Sequence, residues 1–562
     1  MSQETLVDLL RRRASEFPDR LNARYVFQDK ADVTHTFAQL ERRTRIWAGL
    51  YRRHGVRKGD VVAILLEHTD DLMPSFHGAQ WIGAIPAFLQ YPTARLNLDR
   101  YIHDLTLLLE RSKPKAIVLF PNLRDALAGK LPEGAVLLTP DDIRATGPDA
   151  DLAGEPPPID MEDVCCIQYS SGSTGLQKGA ALSHRAVLNE IRAVSEYLHF
   201  DEKTRFVTWL PLYHDWGLFL VALASIELGC EYTLQSPAHW IGNPGSILHL
   251  ITKHKATCYW LPNFAFNYMA NRVREEELVG VDLSSLTVTS NGAEPCFHES
   301  HEMFYARFAK CGLRRESLAI VYGMAEVVNT VLAIGGVGNE PIQVDCIDRR
   351  AFQEELRAVP VPEDHPNAQK MLSTGRALRG TEYRLVDDVG RDVPERVVGE
   401  VWFRSNAVMH GYYGNPEATA ASLRDGWYVT GDMGYRVGDL LYVTGRKKDL
   451  IILGGNNIYP QDVEELVGAH PDAVAGRVAA LGIVDPQLGT QKLIVICEAR
   501  TDDPERRREL VKFIRREVQS KLDAHVDRVY LAPQKWLIKT SSGKIARQPN
   551  LRRLPELEKA PI

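Results

Sequence analysis

The chain contains 562 residues, of which 44% are hydrophobic and 25% charged, and its formal net charge is −6 at pH 7. This composition is typical of a soluble globular protein, and the length predicts about four structural units of roughly 150 residues each. The slightly acidic balance argues against a protein that coats nucleic acid. Glycines and prolines without a period exclude a fibrous or disordered chain.

The cysteines and the apolar segments indicate a reducing, cytoplasmic environment. Eight cysteines without a C-x-x-C pair are sparse for a disulfide scaffold and lack the spacing of a zinc site. The N-terminal segment lacks the apolar core of a secretory signal. The longest strongly apolar stretch, Trp216 to Ile226, is much shorter than the about 20 residues that span a membrane. We therefore expect a buried helix there and no stable membrane insertion.

The first part of the chain alternates between predicted helices and strands. Apolar residues at helical spacing predict helices over 36–51, 72–82 and 184–198. Short apolar runs predict buried strands over 61–66, 116–120, 135–138 and 164–169. This alternation favours mainly parallel sheets wrapped by helices, and the three prolines at 156–158 mark a linker between two such units.

The pattern changes after Gly399. Short β-rich segments over 399–404, 426–430 and 440–444 predict a small barrel or sheet. After Asp449 we expect strands over 479–484 and 493–499 and a helix over 503–522. The predicted fold is therefore α/β. It has two α/β subdomains, a small β-barrel-like subdomain and a small α+β C-terminal domain.

The most informative segment reads YSSGSTGLQKG from Tyr169 to Gly179. It follows an apolar strand and precedes a helix, where successive backbone N–H groups can hold phosphate oxygens. Its hydroxyls and Lys178 add donors and positive charge, although the spacing of a Walker A loop is absent. The alternative interpretation of this segment alone is a flexible Ser/Gly turn.

Six further motifs follow in a fixed order. They are WLPLYHDWGL at 209–218, NGAE at 291–294, YGMAE at 322–326, WYVTGD at 427–432, GRKKD at 445–449 and KTSSGKI at 539–545. With the glycine-rich segment, they resemble the signature of the adenylate-forming superfamily, which includes acyl-CoA synthetases, peptide-synthetase adenylation domains and luciferases. Each motif is weak alone, but their joint order is specific.

This resemblance implies activation of a carboxylic acid by ATP, with release of pyrophosphate. Because the attacking carboxylate and the α-phosphate are both negative, such catalysis depends on positioning and charge neutralisation. The implied cofactors are ATP and Mg²⁺, and Glu326 is the implied Mg²⁺ ligand, since a hard cation prefers carboxylate oxygen. The implied catalytic residues are Lys544, Thr174, Glu326 and His214.

The resemblance also assigns the nucleotide contacts. The residues implied at the phosphates are Ser171, Gly172, Ser173, Thr174, Gly175 and Lys178. Those implied around the adenine are Asn291, Gly292, Ala293 and Glu294, through their backbone, and Tyr322, Gly323, Met324 and Ala325, with an aromatic face. Asp432 is assigned to the ribose hydroxyls, Arg446 to the ribose or phosphates, and Lys544 to the carboxylate and α-phosphate.

The same resemblance divides the chain into an N-terminal adenylation domain, residues 1–447, and a mobile C-terminal domain, residues 448–562. Lys448 is the implied hinge. Rotation about it is expected to bring Lys544 in for adenylation and to remove it for thioester formation. Gln177 stands where the family often has proline, which alters the rigidity of the phosphate loop.

The expected substrate is a medium- or long-chain fatty acid. His214 lies where the family lines the carboxylate pocket, although a lone histidine is often structural. Trp216, Asn263 and Phe264 are expected in the acyl pocket, and Trp216 is predicted to narrow its entrance. Ordinary core packing is the alternative for these aromatic residues.

Several stretches resemble the fatty acyl-AMP ligase branch of the superfamily: 209–218, 261–266, 282–285 with 291–295, and 457–462. The segment at about 340–372 resembles the insertion that restricts domain rotation and disfavours free CoA in such ligases. The implied acyl acceptor is then the phosphopantetheine thiol of an acyl carrier protein. The alternative for this segment is a tolerated surface insertion.

Two rival functions stay open. The run GGNNIYP at 454–460 is common in CoA ligases and favours an acyl-CoA ligase that uses CoA as acceptor. A catalytically silent nucleotide-binding scaffold is the other, and the intact set Thr174, Glu326, Asp432, Arg446 and Lys544 argues against it. A basic run at 506–516 is expected to be a solvated helix face, with carrier docking as the alternative.

Overall fold

The computed structural model describes residues 4–92, 98–127, 129–146, 153–169, 177–453, 456–485, 490–540 and 543–558. The predicted phosphate contacts from Ser171 to Gly175 lie outside the described residues, as does the Gly454-Gly455 pair. In the described part of the chain, no helix is long and apolar enough to cross a membrane. All eight cysteines are free thiols.

Two of the N-terminal helices begin at a capping threonine. Thr5 and Thr36 each accept a hydrogen bond from a first-turn N–H in a capping box. The segment predicted as one buried helix is buried, but it is a π-helix over Leu218–Leu223 between two short α-helical pieces, Asp215–Gly217 and Ala224–Leu228. The other α-helices before residue 448 are Leu6–Glu16, Phe37–Arg53, Leu72–Trp81, Leu98–Ser112, Pro121–Leu127, Pro140–Thr146, His184–Leu198, Pro237–Gly242, Ser246–His254, Asn263–Arg272, His298–Phe308, Arg349–Glu355 and Pro416–Ser422.

Two sheets confirm the predicted parallel α/β subdomains. The smaller is fully parallel, in the order Ile85–Phe88, Val61–Leu65, Ala116–Leu119 and Val136–Leu138. The larger has nine strands, in the order Arg376–Ala377, Thr330–Gly335, Leu318–Gly323, Val288–Gly292, Cys258–Pro262, Arg205–Thr208, Glu231–Gln235, Leu21–Val26 and Val33–Thr36. Its strands from Leu318–Gly323 to Leu21–Val26 are parallel, and the strands outside them are antiparallel.

The glycine-rich segment connects two antiparallel strands. Val164–Tyr169 pairs with Gly179–Ser183, which pairs in turn with Gly411–Tyr412. Helix His184–Leu198 follows at once, with Ser183 as its N-cap. The strand before the segment and the helix after it were predicted correctly, whereas Gly179–Ser183 was not predicted.

The β-rich region forms a five-stranded antiparallel sheet. Its strands are Thr381–Val386, Gly399–Ser405, Leu423–Arg424, Trp427–Val437 and Leu440–Arg446. Trp427–Val437 pairs with three of the others, and no pairing among the described strands closes the sheet. Of the two predicted alternatives, a small barrel or a sheet, the described strands form an open sheet, and the barrel-like form is not seen among them.

The C-terminal α+β unit has its own hydrophobic core, built around Val463, Val495 and Leu510. Ala473–Asp485 is antiparallel to Thr490–Ala499, which is parallel to Val526–Ala532. A hairpin of Ile451–Leu453 and Asn456–Ile458 precedes them. The helices are Pro460–Gly468, Pro504–Leu522 and Arg547–Glu558.

Candidate active site

The carboxyl ends of four neighbouring parallel strands meet along one edge of the nine-stranded sheet. The strands end at Thr208, Pro262, Gly292 and Gly323. The predicted motifs at 209–218, 291–294 and 322–326 lie at or directly after three of these ends. Open α/β sheets bind their ligands at this edge, because the loops that follow parallel strands converge there.

Asp432 contacts two other predicted nucleotide residues, Tyr322 and Arg446, each of which lies on a different strand. Its carboxylate is buried, and Oδ2 accepts a hydrogen bond of 2.5 Å from the Tyr322 hydroxyl. Oδ1 pairs with Nε of Arg446 at 2.9 Å. Burial raises the pKa of Tyr322, and the charge of Asp432 raises the pKa of Arg446. The result is a fixed carboxylate with acceptor capacity beside the sheet edge.

Glu326 is held by two contacts from the segment around Gly411. The Tyr412 hydroxyl donates a hydrogen bond of 2.7 Å to Glu326 Oε1, and the Met409 N–H donates to the Glu326 carbonyl at 2.8 Å. Nζ of Lys178 lies 4.8 Å from the centre of the Tyr412 ring, which is cation–π range. Tyr412 thus connects the predicted metal ligand to the predicted phosphate lysine. No sequence motif pointed to Tyr412.

The Mg²⁺ assignment fits the chemistry of this carboxylate. Glu326 is 8% exposed, its Oε1 accepts the Tyr412 hydroxyl, and carboxylate oxygens are the ligands that a hard cation prefers. No cluster of three or more metal-binding side chains occurs among the described residues. A cation here would therefore complete its shell with nucleotide phosphates and water, as Mg²⁺ commonly does.

His214 and Asp215 form a pair at the carboxyl edge. Nδ1 of His214 lies 2.7 Å from Oδ1 of Asp215, which also accepts the Trp216 N–H at 2.8 Å. Burial opposes ionisation of Asp215, but the charge and hydrogen bond of His214 outweigh it, so its pKa lies below the usual value.

Trp216 lies against the strand ends. Its indole is buried, and a Cβ at position 292 would approach Trp216 Cζ2 to 2.9 Å and the Val321 carbonyl oxygen to 2.4 Å. Glycine is therefore required at 292 for this packing. The same loop contains Ala293 with a φ of 62°, a left-handed conformation that is uncommon outside glycine.

The two predicted asparagines form a buried amide network. Nδ2 of Asn291 lies 2.9 Å from Asn263 Oδ1 and 2.9 Å from His301 Nε2. Nδ2 of Asn263 donates to Ser300 Oγ at 3.2 Å. The network ties the starts of two helices to strand Val288–Gly292. Both side chains therefore make hydrogen bonds within the protein that stabilise this edge of the sheet. A contact of Asn263 with the substrate stays a prediction.

The Glu294 side chain is directed to the acyl side of the site. Its Oε1 accepts the backbone N–H of Phe264 at 2.5 Å. The sequence assigned only the backbone of Glu294 to the adenine, so this side-chain contact was not predicted. Burial raises the pKa of Glu294, whereas the nearby charges of Lys539 and Lys544 lower it. Nζ of Lys539 lies 5.8 Å from the centre of the Phe264 ring.

The C-terminal unit places Lys544 within reach of the N-terminal acids. Burial and the charge of Arg446 lower the pKa of Lys544, while Glu294, Asp432 and Asp215 act in the opposite direction. Its loop is closed by a hydrogen bond of 2.7 Å from the Thr540 N–H to the Lys544 carbonyl. Lys448 lies in the single turn Lys447–Asp449, which connects the open sheet to the C-terminal unit.

Comparison with known proteins identifies the family. The family described as AMP-binding enzyme matches residues 10–413. The chain belongs to this adenylate-forming family. A putative acyl-CoA synthetase from Caulobacter vibrioides is 30% identical and aligns over 88% of this chain and 85% of its own. A 4-hydroxyphenylalkanoate adenylyltransferase from Mycobacterium tuberculosis is 30% identical over 98% of this chain and 92% of its own.

Solved structures extend the similarity through the C-terminal α+β unit. A structure from a study of fatty acyl-adenylate ligases from E. coli and L. pneumophila has a TM-score of 0.90 at 28% identity and covers 99% of both chains. A fatty acyl-adenylate ligase from L. pneumophila, in complex with acyl adenylate and pyrophosphate, has a TM-score of 0.76 at 30% identity and covers 98% of this chain and 96% of its own. The chain is thus an adenylate-forming enzyme that converts an acid to its acyl-adenylate at the expense of ATP.

Proposed function

We propose that this adenylate-forming enzyme is a fatty acyl-AMP ligase. It activates a medium- or long-chain fatty acid with ATP and Mg²⁺ and passes the acyl group to the phosphopantetheine thiol of an acyl carrier protein. The observation that carries the proposal is the position of the insertion at 344–372. It contacts the open sheet on one side and the C-terminal unit on the other, in a pose where Lys544 is close enough to Glu294 and Asp432 for their charges to act on it.

The insertion is an ordered element anchored to the N-terminal domain. Val344–Asp348 and Ala368–Leu372 form an antiparallel pair, and helix Arg349–Glu355 lies between them in sequence. Asp345 pairs with Nη1 of Arg396 at 3.0 Å and accepts the Tyr435 hydroxyl at 3.0 Å. These partly buried charge-assisted contacts fix the insertion on the open sheet.

Three contacts join the helix of the insertion to the C-terminal unit. The ring of Phe352 stacks on that of Tyr459, with centres 5.5 Å apart. The Gln353 carbonyl accepts Nδ2 of Asn457 at 2.9 Å, and Nη1 of Arg349 donates to the Lys521 carbonyl at 2.7 Å. Rotation of the C-terminal unit about Lys448 would break all three, so the insertion stabilises the adenylating pose.

The residues at the sheet edge divide the work of adenylation. Tyr322 presents its ring to the adenine, and Asp432 and Arg446 orient the ribose. The Lys544 ammonium neutralises the acid carboxylate and the α-phosphate as charge moves between them. Mg²⁺, when bound at Glu326, supplies further neutralisation of the phosphates. His214 orients the substrate carboxylate, and Asp215 fixes its ring.

An aromatic region beside the site supports an apolar substrate. The Trp209 and Trp240 rings stack with centres 3.8 Å apart, and Phe264 lies edge-on to both. The similarity to fatty acyl-adenylate ligases favours a fatty acid, and the similarity to a 4-hydroxyphenylalkanoate adenylyltransferase makes arylalkanoic acids a required comparison. Both substrate types present an apolar tail to such a surface.

The test is mass spectrometry of reactions with ATP, Mg²⁺ and a ladder of fatty and arylalkanoic acids. Each acid is incubated without a thiol, with CoA, or with a phosphopantetheinylated carrier protein. Acyl-AMP that persists with CoA and is consumed by the carrier supports the proposal. Rapid formation of acyl-CoA would instead make the protein an acyl-CoA ligase. Preference for an arylalkanoic acid would overturn the assignment of the acid.

A further inference from the structure

A strained turn presents Glu326 to the active site. Val328, two residues later, has φ 69° and ψ −66°, and the Asn329 N–H donates to the Val327 carbonyl at 2.9 Å. This is a γ-turn with positive φ, a rare and strained conformation, and Val328 is β-branched and buried. Such strain persists only where the surrounding structure holds it, and it concentrates at functional sites.

The turn leaves no free space on its inner side. A Cβ at Gly323 would lie 1.5 Å from the Asn329 carbonyl oxygen, so the turn packs directly on the backbone of the YGMAE motif. The Thr330 hydroxyl donates to Asn329 Oδ1 at 2.6 Å. The segment from Val327 to Thr330 is therefore held by its packing on Gly323 and by the hydrogen bond between Thr330 and Asn329.

Glu190 holds the far end of this turn. It lies on helix His184–Leu198, is 2% exposed, and accepts the Thr330 N–H on Oε1 at 2.7 Å. Oε2 is buried and has no hydrogen-bond partner among the residues that the structure describes. A carboxyl group is costly at such a position, and one bond leaves it half satisfied. Burial and the charge of Asp215 raise its pKa, which favours the neutral acid.

We propose that Glu190 is a positioning residue for adenylation, whose Oε1 fixes Thr330 and thereby holds the strained turn that presents the Glu326 carboxylate. This inference rests on the proposed role of Glu326 toward the nucleotide-bound cation. Glu190 touches no reacting atom. It acts through Thr330 and the turn, in the way that outer-shell hydrogen bonds orient metal-binding carboxylates.

Three variants of the full chain test the inference. Glu190→Gln keeps the acceptor oxygen and the shape of the neutral acid. Glu190→Leu fills about the same volume but leaves the Thr330 N–H without its acceptor. Glu190→Asp shortens the side chain by one methylene, which moves the acceptor oxygen away from the Thr330 N–H. Ser195→Ala, on the same helix and also buried, is the matched control.

Two measurements are made on each: kcat and KM for ATP in pyrophosphate release, and binding of ATP with and without Mg²⁺ by calorimetry. We expect Glu190→Gln and Ser195→Ala to match the wild type. Glu190→Leu and Glu190→Asp should lose about ten- to hundredfold in kcat/KM and lose the Mg²⁺-dependent part of ATP binding. The losses of activity should not follow the melting temperatures across the series.

Wild-type activity and Mg²⁺-dependent binding in both Glu190→Leu and Glu190→Asp would overturn the proposal. So would losses that follow the melting temperature across the series, because they would indicate a purely structural role. If Glu190→Leu does not fold, the comparison of kcat/KM and Mg²⁺-dependent ATP binding between Glu190→Asp and Glu190→Gln tests the proposal. Absence of acyl-AMP in the wild type with every acid would refute the proposed function instead, and the calorimetry would still test Glu190.

Discussion

The Tyr412 hydroxyl donates a hydrogen bond of 2.7 Å to the Glu326 carboxylate across 86 positions of sequence. The same ring lies beside the Lys178 ammonium. One side chain therefore couples the expected cation ligand to the expected phosphate contact. Because the phenol acts on Glu326 by one hydrogen bond and on Lys178 by its ring, the two effects can be separated by mutation.

Tyr412→Phe should keep the fold and the ring but release Glu326. We expect kcat/KM for ATP to fall about tenfold or more, with a higher Mg²⁺ concentration needed for half-maximal rate. The check is a Mg²⁺ titration of pyrophosphate release. Tyr413→Phe, the next residue, is the control and should match the wild type. An unchanged Mg²⁺ requirement in Tyr412→Phe would show that the hydrogen bond is incidental.

Asp432→Asn should weaken nucleotide binding. The amide cannot pair with Arg446 as a charge and offers one acceptor oxygen in place of two. Hydrogen bonds to charged groups contribute about 1.5–3 kcal/mol each, so we expect at least a tenfold rise in Kd for ATP by calorimetry. Asp439→Asn, an exposed acid of the same sheet, serves as the control. Equal Kd values would remove Asp432 from the ribose site.

The rate should depend on pH through Lys544. Burial lowers its pKa, so the ammonium loses its proton at a lower pH than a free lysine, and adenylation should fall along this alkaline limb. Glu294 raises the pKa of Lys544, so Glu294→Gln should move the limb to still lower pH. The measurement is kcat/KM against pH. Glu299→Gln, at an exposed position in the first turn of helix His298–Phe308, should leave the alkaline limb in place. A shifted limb in Glu299→Gln, or an unshifted one in Glu294→Gln, would contradict the assignment.

Arg349→Ala with Phe352→Ala should loosen the adenylating pose. The double variant removes two of the three contacts described above between the helix of the insertion and the C-terminal unit. CoA should therefore be acylated where the wild type accumulates acyl-AMP. Mass spectrometry of the products checks this. Arg350→Ala removes only an exposed pair with Glu354 and is the control. No gain of acyl-CoA would mean that the insertion does not restrict rotation.

Trp216→Ala should broaden the accepted chain length, if Trp216 narrows the acyl entrance as predicted. Its burial against Gly292 also predicts a loss of about 3–5 kcal/mol in unfolding free energy, as for other buried aromatic residues. Rates across the acid ladder and a denaturant titration check the two effects separately. A stability loss with an unchanged chain-length profile would leave Trp216 as packing alone.

The sequence by itself determined the family and several helices and strands, and it predicted the residues of the site. Strand Val164–Tyr169 and helix His184–Leu198 have the predicted bounds, because periodicity and an N-cap serine are local signals. The set Tyr322, Asp432 and Arg446 was found from motifs, and the structure brings it together. The motifs work because nucleotide chemistry constrains residue type at each strand end.

Only the tertiary structure decided which side chains support that set. Tyr412, Glu190 and the carboxylate of Glu294 act through contacts with residues far away in sequence, such as the bond from Thr330 to Glu190 across 140 positions. No local pattern encodes such a pairing. The open sheet in place of a barrel has the same cause, since closure depends on strand pairing and not on the propensity of any one strand.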